Sequence, residues 1–184
     1  RYGTSLPASA TEVTAIAPPT VTVAVVPATS RSKPIPIGWR EWISLPEWDV
    51  EHLKAKIDTG ARTSSLHAFD LEWFERAGEP WVRFAIHPWQ RSTLDTIGVE
   101  APVVDARDVK SSSGRVDHRP IVRTRLAIAG RAVDAEVTLT RRDERGFRML
   151  VGREALRRRF VVDPGRSYVG GRPATSVRRR NRGA

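Results

Sequence analysis

The residues of this chain best suited to chemistry lie in KAKIDTGAR, residues 54–62, where a lone carboxylate, Asp58, ends an alternating segment just before a glycine. A strand ahead of Asp58 would fix the carboxylate rigidly, Gly60 would allow a tight backbone turn, and Ala61 would keep the surroundings small. Held in this way, an aspartate can work as a general acid or base. A plainer reading uses the same residues: Asp58 simply opens a turn, as aspartate does by accepting backbone hydrogen bonds. Asp-Thr-Gly alone does not choose between them, since a given tripeptide arises by chance in roughly a few per cent of chains this long.

Other chemistries have weaker support. His52, His67, His87 and His118 are scattered along the chain, and no pair has the helical spacing of zinc peptidases, so no metal or other cofactor is expected. His87-Pro88 reads as a strand end and His118 as a loop residue. Ser111-Ser112-Ser113-Gly114 reads as a turn, because no nucleophile-elbow pattern surrounds it. The chain contains no cysteine, which removes disulfides, thiolate nucleophiles and thiolate ligands for zinc.

The elements that must position Asp58 read as short strands. Residues 50–57 approximately alternate and stop at Asp58-Thr59-Gly60, and residues 81–87 alternate as well. Residues 123–129 alternate, meet Gly130-Arg131 and return as 132–140, a hairpin with Leu126, Ile128, Val133, Ala135, Val137 and Leu139 as its core residues. Helical patterns are brief, at 154–160 and over 70–77. The sum is a small, mainly β domain, mostly antiparallel and closed as a barrel, over residues 35–171.

The ends differ in composition. Residues 1–34 are rich in Pro, Ala and Thr and read as a disordered arm, and residues 172–184 read as a disordered basic tail. The net charge is +10, of which the 172–184 segment contributes five arginines and no acid, so the domain between is close to ordinary. Nucleic acid is therefore expected only through the basic tail. No apolar run approaches the roughly 20 residues of a membrane span, and no secretory leader is evident, so a soluble cytoplasmic protein is expected. The chain begins at Arg1, which suggests a fragment or a processed form.

A second segment, Leu150-Val151-Gly152-Arg153 followed by a short helical pattern, changes the balance at Asp58. Asp58-Thr59-Gly60-Ala61, then residues 110–115, then Leu150-Val151-Gly152-Arg153 resemble, in order, the catalytic loop, the flap and the apolar-apolar-Gly-Arg segment of retroviral-type aspartic peptidases. The match narrows with Ile37-Gly38-Trp39-Arg40-Glu41-Trp42, residues 54–68, Ser111-Ser112-Ser113-Gly114, Arg119-Pro120, Arg142-Asp143, residues 146–150 and Asp163-Pro164-Gly165-Arg166-Ser167-Tyr168. Over residues 35–171 the chain is similar to a bacterial family historically labelled ATP-dependent zinc proteases. Its RimB-type members are retropepsin-like aspartic endopeptidases linked to the ATP-dependent ligases that add glutamate tails.

That resemblance implies a retropepsin-like closed β-barrel with a short C-terminal helix, working as a two-fold homodimer. Two copies of Asp58 would share one proton and activate water, because two carboxylates about 3 Å apart cannot both ionise. Thr59 would tie the two loops together and Gly60 would supply amides beside the carboxylates. Substrate contacts are expected from Ala61 and Arg62, from Ser111, Ser112, Ser113, Gly114 and Arg115 in a flap spanning 109–119, and from His118, Arg119 and Arg153. The substrate implied is an acidic, polyglutamate-type peptide, with a functional link to a glutamate ligase.

One departure stands out. Several retropepsins pair the arginine of the Gly-Arg segment with an acid soon after the Asp-Thr-Gly-Ala turn, whereas here Arg62, Thr63, Ser64 and Ser65 follow. Arg153 must use another partner, with Asp70, Glu154, a backbone carbonyl or the substrate available. Three alternatives stay open: a zinc-dependent peptidase, a catalytically silent binder of acidic peptides, and an RNA-binding module.

Overall fold

The computed structural model describes residues 33–110, 116–141 and 146–183. The expected arm therefore lies outside the described residues except at its last two positions. In chain order the strands are β1 (Ile35–Gly38), β2 (Arg40–Leu45), β3 (Val50–Asp58), β4 (Ser64–His67), β5 (Phe69–Arg76), β6 (Glu79–Ile86), β7 (Ile97–Lys110), β8 (Val116–Ile128), β9 (Arg131–Thr140), β10 (Met149–Gly152) and β11 (Phe160–Asp163). A one-turn helix α1 (Arg153–Leu156) follows β10, and α2 (Thr175–Arg180) lies near the C-terminus.

Nine of these strands form one sheet in the order β2-β3-β10-β4-β9-β8-β7-β6-β5, and β2 also pairs with β8 through Ile43 opposite Ile128. That extra pairing closes six strands, β2, β3, β10, β4, β9 and β8, into a barrel. β7, β6 and β5 extend from the free half of the long strand β8. β1 and β11 pair separately and in parallel.

The barrel forms because alternation sends one side of each strand inward. In β3, Leu53, Ala55 and Ile57 are buried, with Val122, Leu126, Ile128, Val137, Leu139, Met149 and Val151 packed around the same core. Burying a side chain of this size contributes about 1.5–3 kcal/mol. The alternation of 50–57 is only approximate because the β2–β3 register slips between Ile43 opposite Leu53 and Leu45 opposite Val50, a bulge that shifts the phase. The β8–β9 hairpin forms as expected, with all six anticipated core residues buried. Its turn, Ala129-Gly130, has φ of 48° and 76°, the left-handed pair that matches the twist of a two-residue hairpin.

Three expectations are corrected. Residues 70–77 form most of strand β5 and its turn, not a helix, because Ala77 and Gly78 adopt φ of 53° and 80° and close a second tight hairpin onto β6. The helix expected over 154–160 stops after one turn, since Arg158 takes φ of 62° and the chain then enters β11. His118 lies within strand β8, opposite Asp108 of β7, and not on a loop.

Residues 172–184 were expected as a disordered tail; the described part of that segment carries α2 and a buried Asn181. The Asn181 side-chain oxygen accepts from the Gln90 amide at 3.0 Å and its carbonyl accepts from the Arg91 amide at 3.2 Å. A charge run gives no local sign of such a contact, because the partners lie far back in the chain.

A buried carboxylate fixes another corner of the domain. Glu41 is fully buried and accepts from the amides of Gly38 at 2.6 Å, Val169 at 2.9 Å and Gly170 at 3.2 Å, tying residues 169–170 to the β1–β2 corner. Glu41→Ala would strand these donors, each costing about 1–3 kcal/mol when left unpaired in the interior. Urea unfolding of that variant is expected to show a loss of roughly 3 kcal/mol or more.

Candidate active site

Asp58 is the last residue of β3, and the strand beside it runs parallel: Gly152 of β10 lies opposite Asp58, and Val151 opposite Ile57. The chain leaves β3 through residues 59–63 and returns as β4 on the other edge of β10, with Leu150 opposite Ser65. The connection therefore has to cross the end of β10. A side-chain carbon on Gly152 would sit 2.4 Å from the carbonyl carbon and oxygen of Thr63, so only glycine lets the two backbones approach.

Hydrogen bonds fasten the crossing. The amides of Arg153 and Glu154 donate to the carbonyls of Ala61 at 2.9 Å and Arg62 at 3.2 Å, and the Gly152 amide donates to Ser64 Oγ at 3.2 Å. The first amides of a helix have no partner within it, so the loop carbonyls meet a need that α1 creates. The Arg153 guanidinium donates through Nη1 to the Gly60 carbonyl at 2.9 Å. Of the partners open to Arg153 from sequence, the backbone carbonyl is the one found.

Within this frame Asp58 is both a turn residue and an accessible acid. Its Oδ1 accepts from the amides of Gly60 and Ala61, each at 3.2 Å, while the side chain is only partly buried. Thr59 and Gly60 are exposed at the tip of the loop. The carboxylate opens onto a cleft of about 650 Å³ that Lys56, Ala61, Arg119, Arg141 and Phe147 help to line. Asp58 is the only carboxylate among the described residues lining it.

The expected site residues separate into three groups. Asp58, Ala61 and Arg119 share the cleft, and Arg119 also pairs with Asp117 at 3.3 Å. Thr59 and Arg153 line a neighbouring hollow of about 580 Å³ with Leu156, Phe160 and Val162, and Arg62 lines a third of about 270 Å³ with Arg123 and Glu154. His118 lines none of these; its Nδ1 lies 2.7 Å from Asp108 Oδ1 and its ring leans on Trp73. Ser111, Ser112, Ser113, Gly114 and Arg115 lie outside the described residues, although β7 and β8 pair right up to them, Lys110 opposite Val116.

Lys56, Arg141 and Phe147 were missed as cleft residues. Lys56 was within reach of sequence reasoning, because a residue two before Asp58 on a strand shares its face. Arg141 and Phe147 arrive from β9 and the segment before β10, and nothing local in the sequence announces their proximity. Among the described residues no three His, Asp or Glu side chains gather as a metal site.

A closed barrel whose Asp-Thr-Gly-Ala loop crosses a Gly-Arg segment and helix is the fold of a retropepsin-like acid protease. The chain belongs to the RimB-like family, described as retropepsin-like aspartic endopeptidase RimB, whose model matches residues 36–173. It is 44% identical over 132 residues to a probable alpha-L-glutamate ligase of Shewanella halifaxensis and 41% identical over 137 residues to one of Parasynechococcus marenigrum. These matches cover 72% and 74% of this chain but 29% of each relative, so the chain spans under a third of their length. A solved structure from Legionella pneumophila, a protein of unknown function, superposes with a TM-score of 0.63 at 26% identity, covering 74% of this chain and 98% of that one. Among the described residues no helix is long and apolar enough to cross a membrane.

The crossing makes a direct prediction. Gly152→Ala is expected to lose about 1–3 kcal/mol of stability, since neither backbone can give way cheaply. Gly98→Ala, where an added carbon meets nothing within 4 Å, should stay within about 0.5 kcal/mol of the parent in the same thermal melt.

Proposed function

We propose that this chain is an aspartic endopeptidase whose active unit is a two-fold dimer, with one Asp58 from each copy. The observation that carries the reading is the placement of Asp58: a fixed strand-end carboxylate, on a loop clasped by Gly152 and Arg153, facing a cleft that holds no second carboxylate among its described residues. Acid-base hydrolysis of a peptide by this chemistry uses a pair of carboxylates, and in this reading the second is Asp58 of another copy.

In that dimer one Asp58 takes a proton from water while the other, still protonated, donates to the scissile carbonyl oxygen. Water attacks the carbonyl carbon, a tetrahedral intermediate forms, and its collapse breaks the C–N bond as the amine leaves with a proton. Thr59 and Gly60, exposed at the loop tip, are the groups available to meet their counterparts across the axis. The amides of Gly60 and Ala61 already orient Oδ1 and would hold the pair in register.

The substrate is an extended acidic peptide, polyglutamate in type. Support comes from the cations that share the cleft, Lys56, Arg119 and Arg141, and from relatives named as glutamate ligases. Arginine suits this task, since its planar fork can hold a carboxylate with two bonds. The hairpin of β7 and β8, with residues 111–115 at its tip, would cover the bound chain, and Ala61 would leave room for it beside the carboxylate.

Cleavage of an oligoglutamate substrate followed by chromatography tests the assignment. Asp58→Asn is expected to lower kcat by more than 100-fold while the circular dichroism spectrum is kept, and chelator should leave the parent active. A residual rate within tenfold of the parent would remove Asp58 from the chemistry.

A further inference from the structure

Strand β3 carries more than the aspartate. Its outward positions are His52, Lys54, Lys56 and Asp58, alternating with the buried Leu53, Ala55 and Ile57. Same-face neighbours on a strand lie roughly 6.6–6.8 Å apart, so Lys54 stands about 13 Å along the strand from the carboxylate. The antiparallel register adds Arg40 opposite Lys56 and Trp42 opposite Lys54.

Aromatic rings support these cations. The Arg40 guanidinium lies 4.5 Å from the Trp39 ring centre and 5.1 Å from that of Tyr168, and its Nε donates to Ser167 Oγ at 3.1 Å. Lys54 Nζ sits between Phe147 at 5.5 Å and Tyr168 at 5.8 Å, and Arg172 lies 4.9 Å from Tyr168. Phe147 also lines the Asp58 cleft, so the face and the cleft are continuous. A cation resting on a ring gives up less side-chain freedom on meeting a ligand than a free one does.

Among the described residues these cations meet no carboxylate. Among the described residues Arg40, Lys54, Lys56 and Arg172 form no ion pair, whereas on the extended sheet Arg76 and Arg83 both grip Glu100, and on the β8–β9 hairpin of the barrel Arg123 faces Glu136 and Arg125 faces Asp134. Hydrogen bonds from Arg76 and then Arg83 hold the Glu100 carboxyl below the ordinary carboxylate range, so that charge is already satisfied. The one carboxylate built into β2, Glu41, is buried and committed to backbone amides.

We propose that the outer face of β2 and β3, with Tyr168 and Arg172, is a docking track for an extended acidic peptide, continuous with the Asp58 cleft and outside the bond-breaking centre. It rests on the acidic-substrate reading and adds where the rest of the chain binds. Alternate side chains of an extended peptide repeat at the same roughly 6.6–6.8 Å as Lys54 and Lys56, so successive carboxylates on one side meet successive cations. The aromatic groups pack the aliphatic stems while the cations take the charge. The track sets affinity and the preference for long acidic chains, leaving the chemical step to Asp58.

Fluorescence anisotropy of the full chain with fluorescein-labelled deca-L-glutamate tests this. The double variant Arg40→Ala/Lys54→Ala is expected to bind about tenfold more weakly, Arg40→Lys/Lys54→Arg to stay within about threefold, and Asp58→Asn to bind like the parent. In cleavage assays the alanine pair should raise KM for the decamer with kcat kept. Parent-like affinity in a folded alanine pair overturns the track, as does tighter binding of a ten-nucleotide RNA on the same residues. Loss of binding in the alanine pair while Asp58→Asn still cleaves would overturn the catalytic reading and leave the track standing.

Discussion

The crossing of residues 59–63 over Gly152 is the constraint on which the rest of this site depends. Two backbones pass so closely there that a methyl group would lie within 2.4 Å of Thr63. That approach lets the amides of α1 reach the loop carbonyls and lets Arg153 reach the Gly60 carbonyl. Every one of those bonds acts on the segment directly after Asp58, so the carboxylate inherits its position from contacts made by residues some ninety positions later. An acid held this way keeps its geometry without being buried, which suits the proton exchange that the proposed mechanism asks of it.

The barrel supplies the means. Four of its six pairings are antiparallel, but only β2–β3 and β8–β9 join consecutive strands, and β4 runs parallel to β9. The site needs something else: β10 inserted parallel to β3, between β3 and β4. Parallel neighbours require a long return path, and the whole excursion through β4 to β9 is that path. The aspartate loop thus lies where β10, the last barrel strand in the chain, is inserted between β3 and β4.

Charge is distributed with a similar division of labour. The extended sheet of β5 to β7 neutralises its arginines internally, and exposed pairs of that kind contribute little to stability beyond fixing side chains. On the face that leads to the cleft the cations rest on aromatic rings instead, which holds them in place without cancelling their charge. The net charge of +10 conceals this difference, since the same total could have come from the ends of the chain alone.

Strand-level features were legible in the sequence because they are local. Alternation identified the core of β3, β8 and β9, Gly130 marked a hairpin, and Asp58 through Ala61 with Gly152-Arg153 marked the family. Where local signals were ambiguous they misled: residues 70–77 have a helical reading until the Ala77-Gly78 turn pairs them with β6, and the basic C-terminal run hides the anchor at Asn181. What only the tertiary structure decided was company. Arg153 took a backbone carbonyl, Arg62 and His118 turned to other surfaces, and Lys56, Arg141 and Phe147 joined Asp58 in one cleft. Sequence determines the period and turn of each segment through forces acting over a few residues. Which segments become neighbours is set by barrel closure, through contacts between residues far apart in the chain.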